Sequence, residues 1–308
     1  MGSTGFGPVT SDKWTSETSK RGGIERTVRS LYPLQVGRFS EQSMSINPFV
    51  QTFMQNERFV ESGAALWSGM PVSASGFVGG SCALAAAALF QQGRGSMVIV
   101  TPTTDTAEQV AEDLTLFLAP EHHVLLFPPM EQHESESALA IAEGSFGERV
   151  YVLKQLVTSA GNRFLVVVSM PALLQPVPPP PLLNERTQTL AVNSRVDLES
   201  LRRFLVEGGY HSTTAVDLPG EFAVRGYILD VFAPDWDQPV RIEFFSDEIE
   251  SIRRFDLQTQ RSLEKLSEID LTQLQPYECV GASLLDYFSP DIPIVLVEPA
   301  AMQEQRNS

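Results

Sequence analysis

The chain has 308 residues, 43% of them hydrophobic, and a formal charge of −16, so it is long enough for about two domains with real cores. An acidic balance of that size argues against a module whose own work is gripping nucleic acid, because phosphate neutralisation needs a basic face. The cysteines Cys82 and Cys279 and the histidines His122, His123, His133 and His211 show no ligand spacing, so no metal is expected.

No apolar run reaches the roughly 18 residues a membrane span needs, and the N-terminus lacks a signal peptide's apolar core. A cytoplasmic location without membrane contact is expected. Residues 1–45 are rich in Gly, Ser, Thr and Arg and read as a flexible extension.

From residue 46 strand and helix patterns alternate. "SMVIVTP" is a buried strand, and "TTDTAEQVAEDLTLFL" is a helix with Val110, Leu114 and Phe117 on one face. "HVLLFPP" is a second strand, with His122-His123 read as a solvated loop before it. "GERVYVLKQLVTSAG" is a helix presenting Val150, Leu153, Leu156 and Val157, and "RFLVVVSMPALL" runs from strand into helix. Such alternation predicts an α/β domain over 46–186, a mostly parallel sheet covered by helices.

The pattern changes at "QPVPPPPLL" (175–183), read as a stiff connector belonging to neither element type. One helix follows, "DLESLRRFLVEGG", with Asp197 as N-cap and Gly208-Gly209 as its stop. Then come "EFAVRGYILDVF", "PVRIEFFSDEIESIRRFD" and "RSLEKLSEIDL", short strands with tight turns. They predict a smaller α+β domain over 187–273 with an antiparallel sheet. "DIPIVLVEPA" reads as one more buried strand returning to the first sheet, so 274–308 is taken as the start of a returning segment.

A parallel sheet invites a search for a phosphate loop. The candidate "GFVGGSCALAAAALF" has Gly76, Gly79 and Gly80, but Ser81, Cys82 and Ala83 fill the positions where Gly-Lys-Ser/Thr would be needed. The loop reads as degenerate, and no nucleotide or other cofactor is expected. The acidic run "EQHESESALAIAEGSFGE" has no partner base or nucleophile and reads as a solvated face.

Two arginines remain. In "VRIEFF", alternation puts Val240, Ile242 and Phe244 on one face and Arg241, Glu243 and Phe245 on the other. In "EFAVRGYILDVF" it puts Phe222, Val224, Ile228 and Phe232 on one face, with Ala223, Arg225 and Tyr227 opposite. If the segments pair, Arg225, Arg241 and Phe245 share an outer surface. Cross-strand pairing of the arginines with Glu221 and Glu243 is one reading. A protein-interface hot spot of arginines beside an exposed aromatic is the other.

"PGEFAVRGYILDVFAP" and "PVRIEFFSDEIESIRRFDLQTQRSLE" closely resemble the N-terminal, UvrB-like module of the bacterial transcription-repair coupling factors, over about residue 60 to the C-terminus. The resemblance implies a RecA-like fold that has lost its ATP-binding loop, followed by a domain that docks the damage-recognition protein UvrA. It assigns the contacts to Arg225, Arg241 and Phe245. The sequence departs from the family pattern at Tyr227 and Ser246, where glycine is usual, and at Met130, where tryptophan is. The family's RNA-polymerase-binding domain and DNA translocase motor would lie beyond residue 308, so a fragment or truncated product is expected. The expected role is a non-catalytic interaction module recruiting UvrA to stalled RNA polymerase, with no nucleic-acid binding of its own. Rival readings are UvrB itself, which needs an intact phosphate loop, and a small-molecule enzyme on a doubly wound sheet.

Overall fold

The computed structural model describes residues 47–119, 122–130, 145–158, 161–273 and 281–306. Most of the acidic run at 131–148, the extension at 1–45, His133 and Cys279 lie outside them. Helices α1 (Pro48–Phe53) and α2 (Glu57–Trp67) are capped by the side chains of Asn47 and Asn56. Next come α3 (Gly80–Gln92), β1 (Met97–Thr101), α4 (Thr104–Phe117), β2 (His123–Phe127), α5 (Phe146–Thr158) and β3 (Phe164–Ser169). The three strands pair in parallel in the order β1-β3-β2. Every residue of β1 and β3 is buried, as their unbroken apolar runs require when helices cover both faces. On one face Phe90 of α3 and Val110 and Leu114 of α4 pack on Ile99, Leu165 and Val167. On the other, Val150 and Leu153 of α5 pack on Val98, Val166 and Val168.

Three local expectations are corrected. The proline segment is not a mere connector. Beyond α6 (Met170–Leu173), α7 runs Pro180–Glu185 with proline in its first turn, where a missing N–H costs nothing. Val177 also exchanges backbone hydrogen bonds with Ala282, at 2.9 and 3.2 Å. The strand in "DIPIVLVEPA", Ile294–Leu296, does join β1 in parallel and so returns to the first sheet. It is an edge strand, however, and Ile294 and Leu296 are exposed rather than buried. His122 is no solvated loop residue: it is half-buried, its ring edge-on to Phe90 and its Nε2 2.8 Å from Gln91 Nε2.

Between β3 and that returning strand the chain builds a second core. Strand β4 (Thr187–Ala191) pairs antiparallel with β11 (Glu268–Thr272). Helix α8 (Leu198–Glu207), capped by Asp197, lays Leu201 and Leu205 against a six-stranded sheet. Its strands are β5 (His211–Ser212), β6 (Glu221–Arg225), β7 (Ile228–Phe232), β8 (Val240–Phe245), β9 (Glu248–Phe255) and β10 (Ser262–Leu266), hydrogen-bonded in chain order. From β6 to β10 all pairings are antiparallel. The inner face carries Phe222, Leu229, Val231, Val240, Ile242 and Ile252. The last strand, β12 (Ile294–Leu296), leads into α9 (Pro299–Arg306).

The two cores meet at α5. Lys154, buried on that helix, places Nζ 2.6 Å from Asp235 Oδ2 and donates to the Asp270 carbonyl at 2.9 Å. Gly147, two turns earlier, lies so close to the Pro234 carbonyl that any Cβ there would collide with it. Tyr210 donates to the Thr272 carbonyl at 2.9 Å, and burial and then Asp235 push its hydroxyl well above the usual range.

Candidate partner-binding surface

The outer face of the six-stranded sheet is organised by two hairpins with two-residue turns. Gly226-Tyr227 joins β6 to β7, with Arg225 opposite Ile228, and Ser246-Asp247 joins β8 to β9, with Phe245 opposite Glu248. The first turn residue has positive φ in each, +62° at Gly226 and +60° at Ser246. Glycine tolerates this region freely and serine does not, so Ser246 stands at a strained position.

A two-residue turn reverses the phase of alternation, and this corrects the faces expected for β7. Val224 pairs with Leu229 and Phe222 with Val231, so Leu229 and Val231 face the core. Ile228, Asp230 and Phe232 share the outer face with Ala223 and Arg225. That face is partly covered: Ala223, Phe232 and Val216 form a small apolar cluster with Trp236 and Leu257.

Arg225, Arg241 and Phe245 do lie on this one face, but the arginines are not on adjacent strands, because β7 separates β6 from β8. That, with the two-residue offset between them in register, leaves their backbones about 12 Å apart. Neither makes the pairing with Glu221 or Glu243 considered from the sequence. Arg225 is exposed and gives Nε and Nη2 to the Thr214 carbonyl, at 3.1 and 2.7 Å. Glu221 instead accepts from the backbone N–H groups of Asp217 and Leu218.

Arg241 is bound much more firmly. Its Nε and Nη2 meet Oδ1 and Oδ2 of Asp230 at 2.6 and 2.8 Å, and Nη2 also donates to Gln260 Oε1 at 3.2 Å. Its guanidinium lies over the Phe255 ring, 4.7 Å from the centroid. The hydrogen bond to Asp230 is the first cause that raises its pKa further. The Arg241 side chain is only 22% exposed and that of Asp230 only 5%. Removal of Arg241 would therefore bare a buried carboxylate, so this side chain supports the fold as well as the surface. Glu243 pairs with Arg253, and its carboxyl is held below the usual range by the Ser251 hydroxyl first and Arg253 next.

Phe245 is 76% exposed and Tyr227 65%. The two turns are tied together, since the Phe244 N–H donates to the Tyr227 carbonyl at 2.9 Å. Two large aromatics therefore stand at one end of the sheet, where Arg225 ends its strand just before the Gly226-Tyr227 turn.

At the other candidate site, Gly79 (φ +55°) enters α3 with Gly80, Ser81, Cys82 and Ala83 in its first turn. The Ser81 hydroxyl accepts from the Val78 N–H at 2.7 Å and donates to its carbonyl at 2.8 Å, closing the loop on itself. A Cβ on Gly80 would come within 3.3 Å of Asp113 Oδ2, and Gly76 has open space around it. The Cys82 thiol is pushed up by burial first and by Glu298 second. Carboxylates therefore approach the helix end where a phosphate would need cations. Among the described residues, no three His, Cys, Asp or Glu side chains gather as metal ligands. No helix among them is long and apolar enough to cross a membrane.

The sheet, its hairpins and the β4–β11 ribbon fall within residues 189–277, which match the UvrB interaction domain, with only the first two residues of β4 outside. This segment is thus similar to domains of that class. The chain is similar to transcription-repair-coupling factors: 37% identical to that of Myxococcus xanthus over 212 residues, covering 67% of this chain and 17% of the relative. The factor of Bacillus subtilis is 32% identical over 197 residues (64% and 16%), and that of Haemophilus influenzae 33% over 192 (62% and 16%). The chain thus matches about a sixth of the length of these relatives. The resemblance read from the sequence is found in both comparisons.

Proposed function

We propose that this chain is a non-catalytic docking module that recruits UvrA in transcription-coupled repair, with Arg225, Arg241 and Phe245 as the contact residues. The observation that carries the reading is Phe245, 76% exposed on the outer face of the sheet, within the segment that matches the UvrB interaction domain. A phenylalanine so placed gains nothing in the free protein and is an anchor once a partner covers it. In this reading 46–186 is a RecA-like body, 187–273 the docking domain, 274–308 the returning segment and 1–45 an extension. RNA polymerase and DNA are partners of the whole factor, the protein is cytoplasmic, and this chain needs no cofactor.

The closed loop at Ser81 and the carboxylates near α3 support the view that it binds no nucleotide. The test is a pull-down and titration of the full chain with UvrA. Binding that weakens about 30-fold or more for Phe245→Ala supports the docking surface. Binding unchanged by Phe245→Ala and Arg225→Ala together would overturn it.

A further inference from the structure

We infer that Asp230 is a positioning residue of this surface, holding Arg241 in the one orientation that a partner meets; this rests on the docking reading above. An arginine on an exposed strand ordinarily samples many rotamers and must be ordered when a partner arrives. Arg241 is ordered beforehand. Asp230 grips its Nε–Nη2 edge, Gln260 takes the other hydrogen of Nη2, and Phe255 supports the plane from below. Asp230 itself is only 4% exposed, so it acts on a partner through Arg241 rather than by contact.

This arrangement also sets the chemistry the partner must offer. The side-on forks of both arginines are occupied within the chain, by Asp230 and by the Thr214 carbonyl. Arg225 keeps Nη1 and one hydrogen of Nη2, enough for an end-on, two-point grip on a carboxylate. Arg241 keeps Nη1 alone, because pulling it from Asp230 would strand a buried charge. The partner surface is then an acidic side chain placed end-on to Arg225, with a single acceptor for Arg241, whose backbone lies about 12 Å away on the same face.

The experiment titrates UvrA against the full chain carrying Asp230→Asn, Arg241→Ala, both together, or Arg225→Ala, with a thermal melt of each. Asp230→Asn is isosteric and keeps one acceptor for Arg241, so it should fold and bind about 10-fold more weakly. Added to Arg241→Ala it should weaken binding no further, since its effect runs through that side chain. Asp230→Asn that folds and binds like wild type, beside a weakened Arg241→Ala, overturns the role of Asp230 and leaves the docking surface standing. Intact binding by both arginine variants overturns the arginine contacts and, with them, the role of Asp230. Should Asp230→Asn fail to fold, Gln260→Ala decides, because Gln260 is exposed. A loss of about threefold that vanishes in the Arg241→Ala background supports the inference, and no loss overturns it.

Discussion

Arg241 and Asp230 face each other directly across β8 and β7, joined by two hydrogen bonds of 2.6 and 2.8 Å in a side-on pair that is largely shielded from water. Breaking such a pair from one side leaves the remaining charge without compensation. Arg241→Ala should therefore lower the unfolding free energy by about 2–4 kcal/mol. Arg225→Ala, which loses only exposed contacts to a carbonyl, should stay within about 0.5 kcal/mol of wild type. Urea unfolding of the two variants separates them. Equal stabilities would show that the pair contributes nothing.

Lys154 and Asp235 form a second buried pair, this time between the two cores. Lys154→Ala should cost about 3–5 kcal/mol, because Asp235 is left charged and dry and the Asp270 carbonyl loses its donor. Lys154→Met combined with Asp235→Leu should recover much of that loss by replacing the pair with apolar packing. A double variant as unstable as the single one contradicts this account.

Ser246→Gly should stabilise the chain by about 0.5–1 kcal/mol. The substitution relieves a left-handed backbone at φ +60° and leaves no side-chain cavity, since Ser246 is exposed. The gain is read from the urea midpoint at unchanged m-value. A loss of stability would mean that the glycine's extra unfolded-state entropy outweighs the strain.

Cys82 should react slowly with iodoacetamide near pH 8. Its raised pKa leaves less thiolate than an unperturbed cysteine has, and thiolate is the nucleophile. The rate should rise with pH beyond the point where an ordinary thiol levels off. Glu298→Gln should speed it only in part, since burial is the larger cause. Peptide-level mass spectrometry reads the rate at Cys82, and alkylation as fast as that of a free thiol refutes the prediction.

The framework was legible wherever one signal sufficed. Continuous apolar runs marked β1 and β3, and Asp197 and Gly208 bracketed α8. Reading failed where two signals compete. Straight alternation through "YILDVF" sets Ile228 and Phe232 on the face of Phe222 and Val224 and says nothing of Asp230, because it ignores the phase reversal of the two-residue turn. Counting from the Gly226 turn instead sets Asp230 opposite Ala223, on the outer face that Arg241 shares. Lys154 gave no warning, because a lysine on an amphipathic helix is ordinarily solvated and its carboxylate partner lies 81 residues away. The prolines at 178–181 hid α7, since a helix breaker and a helix starter are the same residue at different positions.

The Lys154–Asp235 contact has a mechanical consequence. Apolar surfaces tolerate sliding, because one methyl group substitutes for another at little cost. A buried ammonium 2.6 Å from one carboxylate oxygen has a single seat, and the Gly147–Pro234 approach denies the neighbouring positions. Helix α5 thus acts as a detent between the layers, and the tilt of the arginine-bearing sheet is indexed to the parallel one. Displacement of one layer against the other is resisted where Pro234 and Asp235 meet this helix.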